Sequence, residues 1–427
     1  MKVAFCTLGC KVNQYESQSM EQALIKRGFE CVGASEEADV YIVNSCTVTA
    51  ESDRKTRQNV RHLRKLHPDA VIVLTGCMPQ AFPEDARLLT QADIVTGNRS
   101  NKQIPDMIDE FFRTRERIVR IAQHENGEKF SGELINDFRE RTRATVKIED
   151  GCNRFCSYCV IPYARGRVRS KPLEDIREEI ASLEKKGFSE IVLVGINLSA
   201  YGTDCGASIC DAIELAASFD GIKRVRLGSL EPDHMTPDVT KRLAECKKLC
   251  PQFHISLQSG CDKTLKRMNR HYTAAEYEEL CTRLRSEFED ATLTTDVMVG
   301  FSGETKEDFE ISRDFVRKIG FEKVHVFPYS RRAGTRAAEF PDVVENAEKE
   351  RRSREMIAAA GEVRHEFLER QIGRTVEVLF EEKLRDGSIQ GYTANYTPVR
   401  IKSGCTHGLR KVKIIACGDD WCEGELI

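Results

Sequence analysis

Short apolar runs alternate with amphipathic segments over the first quarter of the chain. The runs VAFCTL, VYIVNS, VIVLTG and IVTG are typical of buried strands, and residues 13–27 and 47–66 carry helical periodicity between them. Strands that alternate with helices favour an open, mostly parallel sheet with helices on both faces. We therefore predict an N-terminal α/β domain over residues 1–113, followed by a charged connector over residues 114–142.

The alternation resumes at Ala144 and continues to about residue 330. Six apolar runs, TVKIED, EIVLVG, VRLGSL, FHISL, TLTTDVMVG and KVHVFPY, are separated by segments with helical periodicity such as 173–186, 237–249 and 306–319. Six such units are too few for a closed eight-stranded barrel. We expect an open, partial (β/α)6 barrel whose active site lies at the carboxyl ends of its strands, within a domain over residues 143–369.

The pattern changes again near residue 341. A long, highly charged helix is predicted between residues 341 and 371, and short runs such as TVEVLF, TPVRIK and KVKIIAC follow it between turn residues. Short strands joined by Gly, Asp and Asn turns favour a small antiparallel barrel, here over residues 370–427. The whole chain is thus predicted to be α/β with three units.

Composition narrows the choice of partners. The 65 Lys and Arg against 68 Asp and Glu give a net charge of -3, which provides no global attraction for nucleic acid, so any RNA contact depends on local patches. Neither a signal peptide nor a stretch of about 20 apolar residues is evident, so we expect no membrane contact and a cytoplasmic location. In a reducing compartment, 17 cysteines are better explained by metal binding or catalysis than by disulfides.

The stretch EDGCNRFCSYCV holds Cys152, Cys156 and Cys159 in a CxxxCxxC run. Three thiolates on one loop can hold three irons of a four-iron cluster and leave the fourth open to another ligand. A helix seam of buried cysteines is one alternative, but Gly151 and Pro162 favour a loop. Structural zinc is another, although such sites use four closed ligands and no fourth Cys or His is near.

A second set of cysteines is spread over the N-terminal domain. Cys10, Cys46 and Cys77 each follow a predicted strand, within LGCKVN, NSCTV and TGCMPQ. Carboxyl ends of parallel strands meet at one edge of a sheet, which is where ligands bind. We expect a second metal site there; the alternative is three unrelated buried thiols.

Polar residues also end several strands of the predicted partial barrel. The residues expected to line its mouth are Gly195, Asn197, Glu231, Ser256, Gln258, Asp296 and Tyr329. Glycine permits close approach of the backbone to a ligand, and the neighbouring side chains can fix the ligand's polar ends.

These motifs resemble those of a known enzyme family. CxxxCxxC with Tyr158 before its last cysteine resembles the cluster loop of radical S-adenosylmethionine (SAM) enzymes, and TLGCKVNQYES, NSCTVT and TGCMPQ resemble the N-terminal domain of the methylthiotransferases. The C-terminal barrel is similar to a TRAM domain. Together with IEDGCNRFCSYCVIPYARGRVRS, the first motif is most similar to the family members that act on N6-threonylcarbamoyladenosine at tRNA position 37.

The resemblance implies two four-iron clusters and SAM as cofactors. Cys152, Cys156 and Cys159 would hold the cluster that cleaves SAM, and Cys10, Cys46 and Cys77 an auxiliary cluster that carries the sulfur. The SAM contacts that it implies are Tyr158, Gly195, Asn197, Ser256, Gln258 and Asp296. The product would be tRNA with a methylthio group on C2 of the modified adenosine, made with a flavodoxin-like or ferredoxin-like electron donor and a sulfur donor of unknown identity.

Arg165, Arg167 and Arg169 follow the cluster loop and can orient tRNA phosphates or the substrate's carboxylate, because guanidinium binds either in bidentate fashion. A solvated basic loop is the alternative. Two other substrates stay open for the same chemistry: N6-isopentenyladenosine at the same tRNA position and an aspartate of a ribosomal protein. A non-enzymatic iron-sulfur electron carrier or RNA-binding scaffold is the alternative of a different class.

Overall fold

A parallel sheet, a partial barrel and a small closed barrel follow one another along the chain, as the hydrophobic pattern predicts. The computed structural model describes residues 1–132, 135, 142–404 and 408–427. Residues 133–134 and 136–141 of the expected connector lie outside these ranges. None of the described helices combines the length and the hydropathy needed to cross a membrane.

The N-terminal unit is a six-stranded parallel sheet in the order β2-β1-β3-β4-β5-β6. Its strands are β1 Lys2–Thr7, β2 Glu30–Val32, β3 Val40–Ser45, β4 Val71–Gly76, β5 Ile94–Thr96 and β6 Ile118–Arg120. Its helices are α1 Lys11–Lys26, α2 Ala50–Leu66, α3 Cys77–Ala81, α4 Pro83–Arg87 and α5 Ile104–Thr114.

Alternate residues of these strands pack into two separate cores, one on each face of the sheet, because successive side chains of a strand point to opposite sides. Strand β6 lies within the stretch expected to be a connector. Its run IVR is too short to stand out as a strand in the sequence, yet Ile118 is buried in one of the two cores.

The central unit is a partial barrel of parallel strands in two sheets, β11-β10-β7 and β12-β13-β14-β15. Its strands are β7 Arg143–Lys147, β8 Glu149–Asp150, β9 Arg169–Ser170, β10 Glu190–Val194, β11 Arg224–Leu227, β12 Ser229–Leu230, β13 Gln252–Ile255, β14 Thr292–Val299 and β15 Lys323–Pro328. The helices are α6 Ile161–Arg165, α7 Leu173–Lys185, α8 Ile209–Ala217, α9 Pro237–Ala244, α10 Asp262–Arg267, α11 Ala274–Glu287, α12 Lys306–Ile319 and α13 Asn346–Glu369.

Gly228 separates β11 from β12, so these two short strands occupy one position of the barrel wall. The wall therefore has the six positions that the sequence predicts. The antiparallel pair β8 and β9 flanks the CxxxCxxC run, which is a loop and not a helix.

The C-terminal unit is a closed five-stranded barrel in the order β16-β17-β18-β20-β19. Its strands are β16 Thr375–Lys383, β17 Ile389–Thr393, β18 Pro398–Ile401, β19 Gly408–Cys417 and β20 Cys422–Leu426. The expected small barrel is confirmed, although β18 and β20 pair in parallel because closure brings these two strands together in the same direction. Arg224 and Arg226 of the central unit donate to its backbone carbonyls, so the small barrel lies against the amino ends of the central strands, away from the cysteine loop.

Candidate active site between two cysteine sites

The three N-terminal cysteines follow neighbouring strands of one sheet. Cys10 precedes α1 after β1, Cys46 follows β3, and Cys77 begins α3 directly after β4. Gly9 lets the first loop lie against the second: it has φ +99°, and a Cβ placed on it would be 2.8 Å from Cys46 Sγ. The three thiols therefore share one edge of the sheet, with Cys10 exposed and the other two buried.

Burial controls the protonation of this site. It raises the pKa of the Cys77 thiol to about 12, while the guanidinium of Arg165 acts in the opposite direction. Arg165 Nε lies 3.2 Å from Cys77 Sγ, and Asn98 Nδ2 lies 3.9 Å from the same sulfur. Two N–H donors beside this buried sulfur would stabilise Cys77 as a metal-bound thiolate.

The CxxxCxxC loop is held by its own backbone and by one arginine. Gly151 has φ +89° and approaches the next turn so closely that a Cβ would be 2.0 Å from the Arg167 carbonyl oxygen. Cys152 N donates to Gly166 O at 3.0 Å. Arg270 Nη1 lies 3.3 Å from Cys156 Sγ, so this sulfur too has a charged donor beside it.

The Cys159 sulfur accepts a hydrogen bond from the backbone N–H of Ile161 at 3.4 Å. Burial raises the pKa of Cys152 to about 12 and raises that of Cys159 as well. Among the described residues, no three His, Cys, Asp or Glu side chains converge as ligands of a single metal ion. A four-iron cluster binds each thiolate through a different iron and does not require that convergence.

Two expected SAM contacts lie at the end of β10, beside a buried carboxylate. Gly195 is required there because a Cβ would be 2.5 Å from Glu149 Oε2. The backbone N of Asn197 donates to that same oxygen at 2.7 Å. Burial raises the pKa of Glu149 well above its usual range. Glu149 Oε1 and Asn197 Oδ1 are buried and have no hydrogen-bond partner among the described residues, so both are available to a polar ligand.

Three further expected contacts lie together: Ser256 and Gln258 follow β13, and Asp296 lies within β14. Gln258 N donates to Asp296 O at 2.8 Å, and the Ser256 carbonyl accepts from Arg270 Nη2 at 3.3 Å. Gln258 holds a left-handed φ of +65°, and its buried Oε1 has no partner in the described chain. The Asp296 carboxylate is partly satisfied by His254 Nε2 at 3.2 Å.

Tyr158, the remaining expected contact, packs edge-on against Phe301 with ring centroids 6.2 Å apart. Tyr329 is buried beside the same ring, with its centroid 5.0 Å from that of Phe301. Both tyrosines therefore belong to one aromatic cluster behind the cysteine loop.

Arg165 connects the two cysteine sites. It ends α6, the helix that follows Cys159, and is fully buried. Its guanidinium contacts Cys77 of the other domain, donates to Asn13 Oδ1 at 2.6 Å and pairs with Glu16. The helices that begin after each cysteine site are thus in direct contact through this side chain.

Two protein-family models match this chain, one at each cysteine site. Residues 2–97 match a model described as the uncharacterized protein family UPF0004, and residues 146–316 match the radical SAM superfamily. The threonylcarbamoyladenosine tRNA methylthiotransferase of Thermotoga maritima is 37% identical over 98% of both chains, and that of Bacillus subtilis is 35% identical over 100% of this chain and 96% of the relative. This chain belongs to the radical SAM tRNA methylthiotransferases.

A second group of relatives has a different name. The tRNA-2-methylthio-N(6)-dimethylallyladenosine synthase of Pelotomaculum thermopropionicum is 36% identical over 91% of this chain and 88% of its own. Among solved structures, the radical SAM methyltransferase of Kitasatospora setae, with cobalamin and a four-iron cluster bound, covers 77% of this methylthiotransferase and 74% of its own chain. Its TM-score is 0.55 at 15% identity, which is a likeness of fold.

The three arginines after the cluster loop differ in their surroundings in this methylthiotransferase. Arg165 and Arg169 are buried, and Arg169 donates to the carbonyls of Arg165 and Arg167 at 2.9 Å. Both are occupied by protein groups, so a substrate role for them does not fit the structure. Arg167 is exposed and lies over the Phe155 ring at 4.6 Å, and it alone of the three keeps a guanidinium for a ligand.

The sequence patterns did not predict two residues of the methylthiotransferase site, Glu149 and Arg270. Glu149 follows β7 as Asn197 follows β10, so the strand-end criterion would have found it. Arg270 lies on a turn after α10, where no sequence signal indicates that it contacts Cys156 and pairs with Glu231 at 2.5 Å.

A cavity of about 620 Å³ opens between the two domains of the methylthiotransferase. Gln80 and Phe82 line it from the segment after Cys77, and Val160, Tyr163 and Arg167 from the segment after Cys159. Its volume is in the range of small-ligand sites. The cavity is therefore lined by the segments that follow Cys77 and Cys159.

Proposed function

We propose that this methylthiotransferase adds a methylthio group to C2 of N6-threonylcarbamoyladenosine at position 37 of tRNA. The observation that carries the proposal is the contact of Arg165 with Cys77, which holds one three-cysteine site against the helix that follows the other. The chemistry needs both sites near one substrate atom. A carrier that only relays electrons has no use for a substrate-sized cavity lined by the segments that follow both sites.

The residues of the loop fit the four-iron cluster and SAM that the radical SAM superfamily uses. Cys152, Cys156 and Cys159 would hold three irons, and SAM would occupy the fourth. We assign Asn197 and Gln258, whose buried side-chain oxygens have no partner in the described part of the chain, to the polar ends of SAM. Four further residues at the same mouth are assigned with them: Tyr158, Gly195, Ser256 and Asp296.

We further assign an auxiliary four-iron cluster to Cys10, Cys46 and Cys77. The buried Cys77 sulfur with two N–H donors suits a thiolate that a metal stabilises. When bound, the two clusters and SAM supply the methylthio group and the radical that removes the C2 hydrogen. The protein side chains bind the nucleoside in the cavity, orient C2 and exclude water.

The lining of the cavity supports the threonylcarbamoyl substrate over the dimethylallyl one. Asn126 and the exposed Arg167 line it, and Arg167 has no carboxylate partner within ion-pair distance in the described chain. The threonyl group carries a carboxylate that a guanidinium binds in bidentate fashion, whereas a dimethylallyl group is wholly apolar. The apolar group would offer this guanidinium no carboxylate to pair with.

Helix α2 supports RNA as the macromolecular partner. Its outer face carries Arg57, Arg61 and Lys65, spaced four residues apart and without an ion-pair partner among the described residues. In a chain with a net charge of -3 this is a local basic patch. Such a patch neutralises phosphates along an RNA backbone.

Nucleoside analysis tests the function. Anaerobically reconstituted full-length protein is incubated with SAM, a reductant, a sulfide source and tRNA that carries either threonylcarbamoyladenosine or isopentenyladenosine. We expect the added methylthio group, detected by mass spectrometry after nuclease digestion, on the threonylcarbamoyl nucleoside. Product on the isopentenyl nucleoside alone would contradict the substrate assignment, and no SAM cleavage at all would favour the electron-carrier alternative.

The electron donor is tested in the same assay. We propose a flavodoxin-like or ferredoxin-like protein in this role, because one electron must reach a cluster at low potential. Replacement of the chemical reductant by a reduced flavodoxin or ferredoxin should support turnover, and failure of both would point to a different class of donor.

A further inference from the structure

One aromatic side chain at the rim of the cavity is unusually exposed. Tyr163 lies on α6 with 55% of its surface accessible, and it is the only aromatic residue among the exposed large apolar residues of the described chain. It lines the cavity that opens between the two domains. A single exposed apolar side chain is ordinary on a protein surface, so what distinguishes Tyr163 is its position beside this cavity.

Two neighbours extend this ring into a small platform. Phe155 meets Tyr163 edge to face, with ring centroids 6.0 Å apart and an interplanar angle of 82°. Arg167 places its guanidinium 4.6 Å from the Phe155 ring centroid. We name Phe155, Tyr163 and Arg167 the rim platform.

The position of Phe155 is fixed at an energetic cost. It has a φ of +50°, a left-handed conformation that is strained for a residue with a side chain, and its carbonyl accepts from Asn269 Nδ2 at 3.1 Å. Strain of this kind persists at ligand sites, where the surroundings hold it. The loop thus holds the Phe155 ring against Tyr163 in a backbone conformation that costs free energy.

We propose that the rim platform stacks an unpaired nucleobase that is adjacent to the target nucleoside in the RNA loop. Proteins recognise single-stranded RNA by stacking splayed bases on aromatic rings and guanidinium planes. If the target base occupies the cavity, as the proposed function has it, a base next to it along the strand falls at the exposed rim. The inference rests on the proposed function and adds a second base contact to it.

The side of α6 on which Tyr163 lies favours a flanking base over the target base as the stacking partner. Tyr163 lies between Cys159 and Arg165, on the side of α6 that is open to solvent, whereas Arg165 of the same helix points into the protein and contacts Cys77. A base on Tyr163 is therefore on the opposite side of α6 from the auxiliary cysteine site. The target C2 atom has to approach that site.

Fluorescence of a labelled RNA tests the platform. Full-length reconstituted protein is titrated with an anticodon stem-loop that carries 2-aminopurine immediately before or immediately after the target adenosine. We expect the fluorescence at one of these positions to be quenched on binding, because a stacked 2-aminopurine loses emission. Tyr163→Ala should abolish that quenching and weaken binding by about 5- to 150-fold, the range of one base stacked on one ring.

Two variants serve as controls. Tyr163→Trp keeps a stacking surface and should retain the quenching. Ile311→Ala removes an equally exposed apolar side chain from α12, 53% accessible, and should leave both affinity and quenching unchanged.

Three results would count against the inference in distinguishable ways. Equal affinity and quenching for wild type and Tyr163→Ala at both flanking positions overturns the rim platform alone. Quenching that depends on Tyr163 only when the probe replaces the target adenosine shows that the ring binds the target base instead. If the wild-type protein binds no stem-loop, the proposed function fails and the inference fails with it.

Discussion

Replacement of Arg165 by methionine tests how the two cysteine sites are held together. The guanidinium is fully buried and contacts Cys77 Sγ at 3.2 Å, Asn13 Oδ1 at 2.6 Å and the carboxylate of Glu16. Without it, the buried Glu16 carboxylate keeps Lys147 Nζ, at 2.7 Å, as its only cationic partner among the described residues. Removing one member of a buried ion pair costs about 3–5 kcal/mol, because the other charge stays buried.

That cost is measurable as a lower melting temperature. We expect Arg165→Met to melt about 5–15 °C below the wild type in anaerobic differential scanning fluorimetry. Arg167→Met, two residues along and exposed, is the matched control for stability and should fall within about 0.5 kcal/mol of the wild type. Glu16→Gln in the Arg165→Met background should recover part of the loss, since it removes a buried carboxylate that has lost one of its two cationic partners.

Cluster content gives an independent measurement on the same variant. Arg165→Met should lower the iron bound at Cys10, Cys46 and Cys77 and leave the CxxxCxxC cluster, so that SAM is still cleaved while methylthiolation stops. A melting temperature and iron content equal to the wild type would refute the role of Arg165, and so would a double variant no more stable than Arg165→Met.

Three further predictions concern other parts of the molecule. Gly195→Ala places a Cβ 2.5 Å from a buried carboxylate oxygen and should abolish SAM cleavage in a product assay, whereas Gly228→Ala, whose Cβ would be 3.4 Å from its nearest neighbour, should retain it. Burial raises the pKa of Glu322 from 4.5 to about 7, so between these pH values the folded state keeps a proton that the unfolded chain has lost, and stability falls as the pH rises. Glu322→Gln should remove about 3 kcal/mol of that fall, measured as the free energy of unfolding in denaturant titrations. An unchanged dependence of stability on pH would contradict this prediction. Alanine at both Arg57 and Arg61 should weaken tRNA binding and reduce the slope of log affinity against log salt by about 1–2, and an unaltered slope would exclude α2 from the RNA contact.

The strand-end positions of the cysteines were predictable because the information is local. Apolar runs end where LGCKVN, NSCTV and TGCMPQ begin, and a parallel sheet brings such ends to one edge whatever the order of its strands. The structure adds that β1, β3 and β4 are direct neighbours in the sheet. That order depends on how the crossover helices pack, which periodicity does not encode.

The roles of individual arginines were not predictable in the same way. Three arginines occupy every second position of one short segment, but Arg165 and Arg169 are buried and Arg167 is exposed. What separates them is a domain contact: Arg165 finds Glu16 and Cys77, which are far from it in sequence. A basic loop predicts charge, and only the tertiary fold decides which charge is left for a ligand.

The docking of the two larger units depends on buried polar contacts at separate places. Tyr15 Oη donates to Glu179 Oε1 at 3.0 Å, and Arg332, after β15, pairs with Asp53 at 2.7 Å. With Arg165 these contacts fix the sheet edge relative to the barrel mouth at three points, which sets both the separation and the rotation of the two cysteine sites. Hydrogen bonds lose strength quickly with distance and angle, so they specify one arrangement where an apolar interface would permit sliding. A reaction between groups carried by two different domains needs that definition, because small displacements of reacting atoms are costly in rate.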